Sequence, residues 1–157
     1  MRKALTLVAA CMFAIGVAGQ YKKSAPNAKI MGNSASTAAD QQALVEAVAH
    51  VKRVSEKEAF RLQTNGSAVI VDVRSNTQFQ TGHIKGAINI PRSQIVARFK
   101  ELPPRKMVIT YCACGAEEAS GQAVLDLNNH GVKNTAALKG GLNAWKVAQL
   151  PMQAGPM

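Results

Sequence analysis

The stretch that decides the fold is Met107-Val-Ile-Thr-Tyr111, running straight into Cys112-Ala113-Cys114-Gly115-Ala116-Glu117-Glu118-Ala119-Ser120. Its first five residues are apolar, β-branched or aromatic, the composition of a strand buried on both faces. Small residues follow, and then a helical pattern from about Glu117 to Asn129, with Ala119, Ala123 and Leu127 inward and Gly131 as its left-handed stop. A buried strand that passes to a helix through a short loop of small residues is the repeating unit of a parallel α/β sheet.

The same grammar extends in both directions. Ala68-Val-Ile-Val-Asp-Val73, Ala87-Ile-Asn-Ile90 (stopped by Pro91) and Thr135-Ala-Ala-Leu138 read as further strands. Asp40 is expected to cap a helix carrying Ala43, Leu44, Ala47, Val48 and Val51 on one face. Ser55 with Glu58 signals a capping box for a second helix that ends near Asn65-Gly66. Ser93 is expected to cap a helix through Leu102, closed by Pro103-Pro104, and Gly141 to Ala148 forms the last helix. The expected class is α/β, with a mostly parallel central sheet flanked by helices. In such sheets ligands bind beyond the carboxyl ends of the strands, which selects the segments after Val73, Ile90 and Tyr111.

The chain has 157 residues, 47% hydrophobic and 4% aromatic, with 19 Lys+Arg against 9 Asp+Glu and a net charge of +10. That length fits one domain with an appendage. Met1-Arg2-Lys3 followed by uncharged Ala4 to Gly19 predicts a signal peptide over residues 1–19, with Val17 and Gly19 before the cleavage point. The protein is then exported, to the periplasm or as a secreted form. Val8-Ala9-Ala10-Cys11 also resembles a lipoprotein box, so a membrane partner enters only if Cys11 carries a lipid. Residues 20–39 are expected to be a flexible linker, 40–150 the folded domain and 151–157 a loose tail. The basic residues are scattered and stacking aromatics are scarce, which argues against nucleic acid as a partner. The positive field suits small anions.

Chemistry concentrates at the loop after Tyr111. A cysteine entering a helix N-terminus gains stabilisation of its thiolate from free amides and the helix dipole. The backbone of Ala113, Cys114, Gly115, Ala116 and Glu117 can wrap a bound anion. Cys112 and Cys114 share this loop, and either can be the reactive thiol. Asp72 and Arg74 are expected to brace neighbouring loops, His83 to serve as a structural hydrogen-bonder and Trp145 to anchor the core. Arg92 and Arg98 are candidates for the site mouth.

The chain resembles a single-domain rhodanese, a sulfurtransferase module, over most of residues 50–150. The resemblance is carried by Val69-Ile-Val-Asp72-Val73-Arg74, by Gly82-His83-Ile84-Lys85-Gly86-Ala87-Ile88-Asn89-Ile90-Pro91, by Tyr111-Cys112 with Gly115, and by Leu138-Lys139-Gly140-Gly141 leading to Trp145. It implies a rhodanese-like three-layer fold and sulfane-sulfur transfer through a cysteine persulfide at Cys112, which stands immediately after the strand as the family's nucleophile does. Cys114 is then a second thiol, or the alternative nucleophile if the helix sets the register. The donor would be a small sulfur-containing anion such as thiosulfate, or a persulfide. The acceptor would be a thiol or cyanide, with no metal and no organic cofactor. One departure stands out: the family loop commonly carries Arg or Lys five residues after the nucleophile, where this chain has Glu117, followed by Glu118. Exposed, these carboxylates would repel an anionic donor by ~1 kcal/mol each at about 4 Å. Two other functions therefore stand beside sulfur transfer: a thiol–disulfide redox role for Cys112 and Cys114, and a binding module with little turnover. A phosphatase or arsenate reductase role is set aside, because that chemistry leans on a loop Arg that this chain lacks.

Overall fold

The structure, a computed structural model, describes residues 37–155. The predicted leader over 1–19, Cys11 and the linker up to residue 36 lie outside the described residues. The described residues form α1 (Ala38–Ala49), β1 (Arg53–Val54), α2 (Glu56–Thr64), β2 (Ala68–Asp72), α3 (Asn76–Thr81), β3 (His83–Ile84) and β4 (Ile88–Asn89). Then follow α4 (Ile95–Arg98), β5 (Met107–Tyr111), α5 (Glu118–Asn129), β6 (Thr135–Leu138), α6 (Gly141–Val147) and β7 (Met152–Gln153).

Five strands make a wholly parallel sheet in the order β1-β6-β5-β2-β4. Its centre is β5, buried at every residue and paired with β2 on one side (Ile70 opposite Ile109, Asp72 opposite Tyr111) and β6 on the other (Ile109 opposite Ala136). Side chains alternate faces along a strand, and two cores result. Ile70, Ile109, Tyr111, Ala136 and Leu138 pack with Ala59, Phe79, Leu142 and Trp145 from α2, α3 and α6. Val71, Val73, Val108 and Cys112 pack on the other face with Ile95, Ala123 and Leu127 from α4 and α5. This is the rhodanese three-layer arrangement expected from the sequence.

Four details differ from the sequence reading. Thr37, not Asp40, caps α1. Its Oγ accepts from the Asp40 amide while the Asp40 carboxylate accepts from the Thr37 amide, so Asp40 is the third residue of a capping box. The helix buries only Val48, whose methyl group occupies the space a Cβ on Gly121 would need, while Leu44 and Val45 stay exposed. The segment expected as a helix from Ser93 to Leu102 is broken into two 3₁₀ turns around the four-residue α4. It is held between Pro91 and Pro103 with no side-chain cap, too short for helix propagation to repay nucleation.

The box at α2 is half made: Ser55 accepts from the Glu58 amide, but the Glu58 carboxylate pairs with Arg61 instead. Lastly, the segment expected to be a loose tail is tied down. Met152–Gln153 pairs antiparallel with His83–Ile84, and the Pro151 carbonyl accepts from the Lys85 amide and from Trp145 Nε1–H, both at 3.1 Å. The fully buried indole needs an acceptor, and Pro151 supplies it.

Ending the chain after Leu150 removes that acceptor and strands a buried indole N–H. Urea unfolding should then show a midpoint lowered by the equivalent of about 1–3 kcal/mol. An unchanged midpoint would mean that β7 carries no stability.

Candidate functional site

The chain visits β2 and β4 on one side of the sheet before returning to place β5 between β2 and β6. The strand order therefore reverses at the β2–β5 neighbours, where the crevice of an open α/β sheet forms. A cavity of about 430 Å³ opens there. Val73, Arg74 and Ser75 after β2 line it with Gln78 of α3, and Cys112, Ala113 and Cys114 after β5 line it with Ala119 of α5.

Strand alternation sets the direction of Cys112. Tyr111 points to the α2/α6 side, so the next residue points to α5, as Thr110 does with its hydroxyl donating to the Ser120 carbonyl at 2.9 Å. Cys112 is 3% exposed, with Sγ 3.7 Å from Ser120 Oγ and 3.9 Å from the Cys114 carbonyl oxygen. Cys114 is exposed, and its sulfur is joined to that of Cys112 across a Cα separation of 5.7 Å. No described amide donates to either sulfur, and none of the amides of Ala113, Cys114, Gly115 and Ala116 has a backbone acceptor among the described residues. The Cys112 carbonyl accepts from the Leu142 amide at 3.0 Å, an approach so close that a Cβ on Gly141 would lie 2.5 Å from it. The Gly140-Gly141 pair is thus required by the turn that follows β6.

Two polar clusters hold this crevice. Arg74 closes a fork on Asp72 (Nε to Oδ1 and Oδ2 at 3.0 Å each) and donates to the Gly82 carbonyl at 2.7 Å. The Tyr111 hydroxyl donates to Asp72 Oδ2 at 2.5 Å and accepts from the Ile84 amide at 3.2 Å. Burial first, then the charge of Asp72 and its hydrogen bond, push the Tyr111 hydroxyl above the usual tyrosine range. Burial opposes the Arg74 charge, but the hydrogen bonds and charge of Asp72 outweigh it, and the net shift is upward. Asp72 and Arg74 tie the end of β2 to Tyr111 and to the Gly82 carbonyl, and Arg74 also lines the cavity.

The second cluster corrects the reading of Glu117. Its carboxylate turns inward, accepting from Arg53 Nε at 2.8 Å and from the Gly140 amide at 2.5 Å. Its own amide donates to the Cys114 carbonyl at 3.2 Å, which closes the loop and removes that N–H from anion contact. The backbone adopts a left-handed conformation there, φ 55°. Glu117 does not line the crevice, and Arg53 neutralises it in the interior. Of the two carboxylates, only Glu118 is at the surface, where it accepts from Gln122.

The remaining candidates stand elsewhere. His83 is fully buried, stacked on Phe79 at 3.7 Å between ring centroids, with Nδ1 2.9 Å from the Phe79 carbonyl oxygen. Arg92 pairs with Asp126, and Arg98 with Glu101; neither lines the cavity that Cys112 shares. Tyr111, Ser120 and Arg53 escaped the sequence reading. Tyr111 had a local signal, standing directly before Cys112 at a strand end, but Arg53 lies 64 residues from Glu117 and gave none. Among the described residues, no group of three or more His, Cys, Asp and Glu side chains could hold a metal ion.

A buried cysteine thus stands at the switch point of a parallel sheet, beneath a loop, Ala113 to Ala116, whose amides have no backbone acceptor among the described residues. Residues 55–148 match the rhodanese-like domain family, and the chain belongs to that family. It is 33% identical over 100 residues to a sulfurtransferase of Allochromatium vinosum, covering 64% of this chain and 92% of that protein. An uncharacterized protein of Bacillus subtilis is 40% identical over 78 residues, 50% of this chain and 60% of its own length. An HTH-type transcriptional regulator of Mycobacterium tuberculosis is 30% identical over 102 residues, 65% of this chain and 45% of its own. The chain thus spans about half the length of several curated relatives. Among solved structures, a thiosulfate sulfurtransferase of Pseudomonas aeruginosa superposes with a TM-score of 0.64 at 34% identity, covering 73% of this chain and 22% of that one.

Two outcomes test the clusters. Glu117→Ala, which leaves Arg53 and the Gly140 amide without their acceptor, should cost about 1–3 kcal/mol in denaturant unfolding, and Glu117→Gln less. Tyr111→Phe should lower stability at neutral pH by about 1–2 kcal/mol. The raised phenol contributes stability that is full below the ordinary tyrosine pKa of about 10 and is lost as pH climbs above it. The gap between wild type and Tyr111→Phe should therefore narrow above that pH, and a constant gap would remove the phenol from the linkage.

Proposed function

We propose that this chain is a sulfurtransferase that carries sulfane sulfur as a persulfide on Cys112. The supporting observation is the position of Cys112 at the carboxyl end of the central strand, facing a crevice whose one charged lining side chain is Arg74. In the dithiol form, the Cys112 thiolate attacks the outer sulfur of thiosulfate. A Cys112–sulfur bond forms, the sulfur–sulfur bond of the donor breaks and sulfite leaves with the electron pair. A thiol or cyanide then takes the outer sulfur. The loop amides without backbone acceptors, none of them donating to a sulfur in the disulfide form, and the start of α5 place positive dipole ends beside the crevice. With Glu117 turned inward, an anionic donor meets only Glu118 as an opposing loop carboxylate. Arg74 lines the other side of the crevice, with its charge paired to Asp72. The sulfurtransferase relative from Allochromatium vinosum supports the same reading. The basic start and apolar run of the sequence support action outside the cytoplasm.

The Cys112–Cys114 bond favours a second reading, a thiol–disulfide redox protein without sulfur transfer. Reduced full-length protein treated with thiosulfate or inorganic polysulfide, then examined by peptide mass mapping that separates Cys11, decides between them. Cys114→Ser should gain one sulfur on Cys112, and Cys112→Ser should gain none in this loop. A Cys112–Cys114 bond formed in the wild type, with no sulfur added to either variant, would support the redox reading instead. Sulfur on Cys114 in Cys112→Ser, with none on Cys112 in Cys114→Ser, would reverse the register.

A further inference from the structure

Cys114 has a different exposure and a different consequence from Cys112. The nucleophile is all but buried against Ser120, whereas Cys114 stands on the solvent side of the same loop, between Ala113 and Gly115. A Cβ built on Gly115 would meet nothing within 4 Å, so the loop is open around the second thiol. The two sulfurs are nonetheless within covalent reach, because the structure bonds them. A sulfur carried on Cys112 leaves the inner sulfur attached at that same side chain, where Cys114 can reach it without an incoming partner.

We infer that Cys114 is a resolving thiol, which discharges the Cys112 persulfide as hydrosulfide and makes the protein a dithiol-dependent sulfane-sulfur reductase. The inference rests on the sulfur-transfer reading above. The Cys114 thiolate attacks the inner sulfur of the persulfide, Cys112 Sγ. The bond between inner and outer sulfur breaks, and the outer sulfur leaves as HS⁻, keeping the persulfide proton and taking the bonding electron pair. The products are the Cys112–Cys114 disulfide and one hydrosulfide. The sulfane sulfur is reduced by two electrons while two cysteine sulfurs are oxidised. An external dithiol then restores both thiols and leaves as its own disulfide, so that thiosulfate plus dithiol gives sulfite, hydrosulfide and oxidised dithiol.

Two physical arguments favour this route over waiting for an acceptor. The attack is intramolecular, and well-oriented intramolecular groups act at effective concentrations far above any free thiol. Hydrosulfide is also a weaker base than an ordinary alkyl thiolate, and the less basic sulfur leaves faster in thiol–disulfide exchange. Exposure of Cys114 gives the regenerating dithiol a sulfur to attack, which the buried Cys112 does not.

The test is a single turnover with the full chain, reduced and freed of reductant. Wild type and Cys114→Ser are mixed with thiosulfate or inorganic polysulfide carrying a radioactive sulfane sulfur. Protein is separated, and label is followed on the protein and as trapped hydrosulfide. In wild type the persulfide on Cys112 should be shorter-lived than in Cys114→Ser by at least about a hundredfold. One labelled hydrosulfide should appear per chain, and the chain should finish two hydrogens lighter with a mapped Cys112–Cys114 bond. Cys114→Ser should retain the label on Cys112 until an external thiol is added.

Equal persulfide lifetimes in the two proteins, with no hydrosulfide before thiol addition, would overturn the resolving role and leave sulfur transfer standing. Failure of both proteins to take up label would overturn both readings. A wild-type disulfide formed with no labelled hydrosulfide would also overturn the resolving role.

Discussion

The alternation of side chains along β5 is the constraint on which the rest of this protein depends. Met107, Ile109 and Tyr111 fill the core beneath α2, α3 and α6, and Val108 and Cys112 fill the core beneath α5. A strand has only two faces, so fixing the hydrophobic register of β5 between β2 and β6 also fixes where the Cys112 sulfur points. A slip by one residue would send the thiol to the Trp145 side and Tyr111 toward α5. The burial that stabilises the sheet is therefore the same physical event that aims the Cys112 sulfur.

Buried polar groups hold the crevice at a shape that apolar packing alone would not select. Asp72 gathers Arg74 and Tyr111 at the ends of the two neighbouring strands, and Arg74 extends the tie to the Gly82 carbonyl. Glu117 gathers Arg53 and the Gly140 amide, linking the loop after β5 to the edge strand β1 and to the turn after β6. The sites of these carboxylates are costly unless fully partnered, and here each is. A loop rich in Ala and Gly would otherwise be a poor holder of geometry. Its precision comes from anchors at its two ends, the Leu142 amide on the Cys112 carbonyl and the inward Glu117.

This arrangement changes the meaning of an acidic residue where the family loop commonly carries a cation. Inside, Glu117 serves as a strut and contributes no repulsion at the mouth. The charged side chain lining the crevice is Arg74, delivered from the neighbouring strand and paired with Asp72. Between them, the loop presents two sulfurs of unequal exposure, Cys112 buried and Cys114 at the surface.

The sequence by itself determined the parallel α/β class, because buried β-branched runs followed by helical periodicity are local patterns. The loop at Cys112 was equally legible, since small residues between such a strand and such a helix carry their own signal. The Ser55 cap and the Gly131 stop were likewise local. What lay beyond reach were the pairings between distant positions: Arg53 with Glu117, Tyr111 with Asp72, Met152–Gln153 with His83–Ile84. Nothing in a residue's neighbours along the chain states which partner will neutralise it. Charge and hydrogen-bond satisfaction are settled only when the sheet brings strand ends together. For that reason the reading of Glu117 as a surface repeller and of residues 151–157 as a loose tail gave way to the tertiary structure.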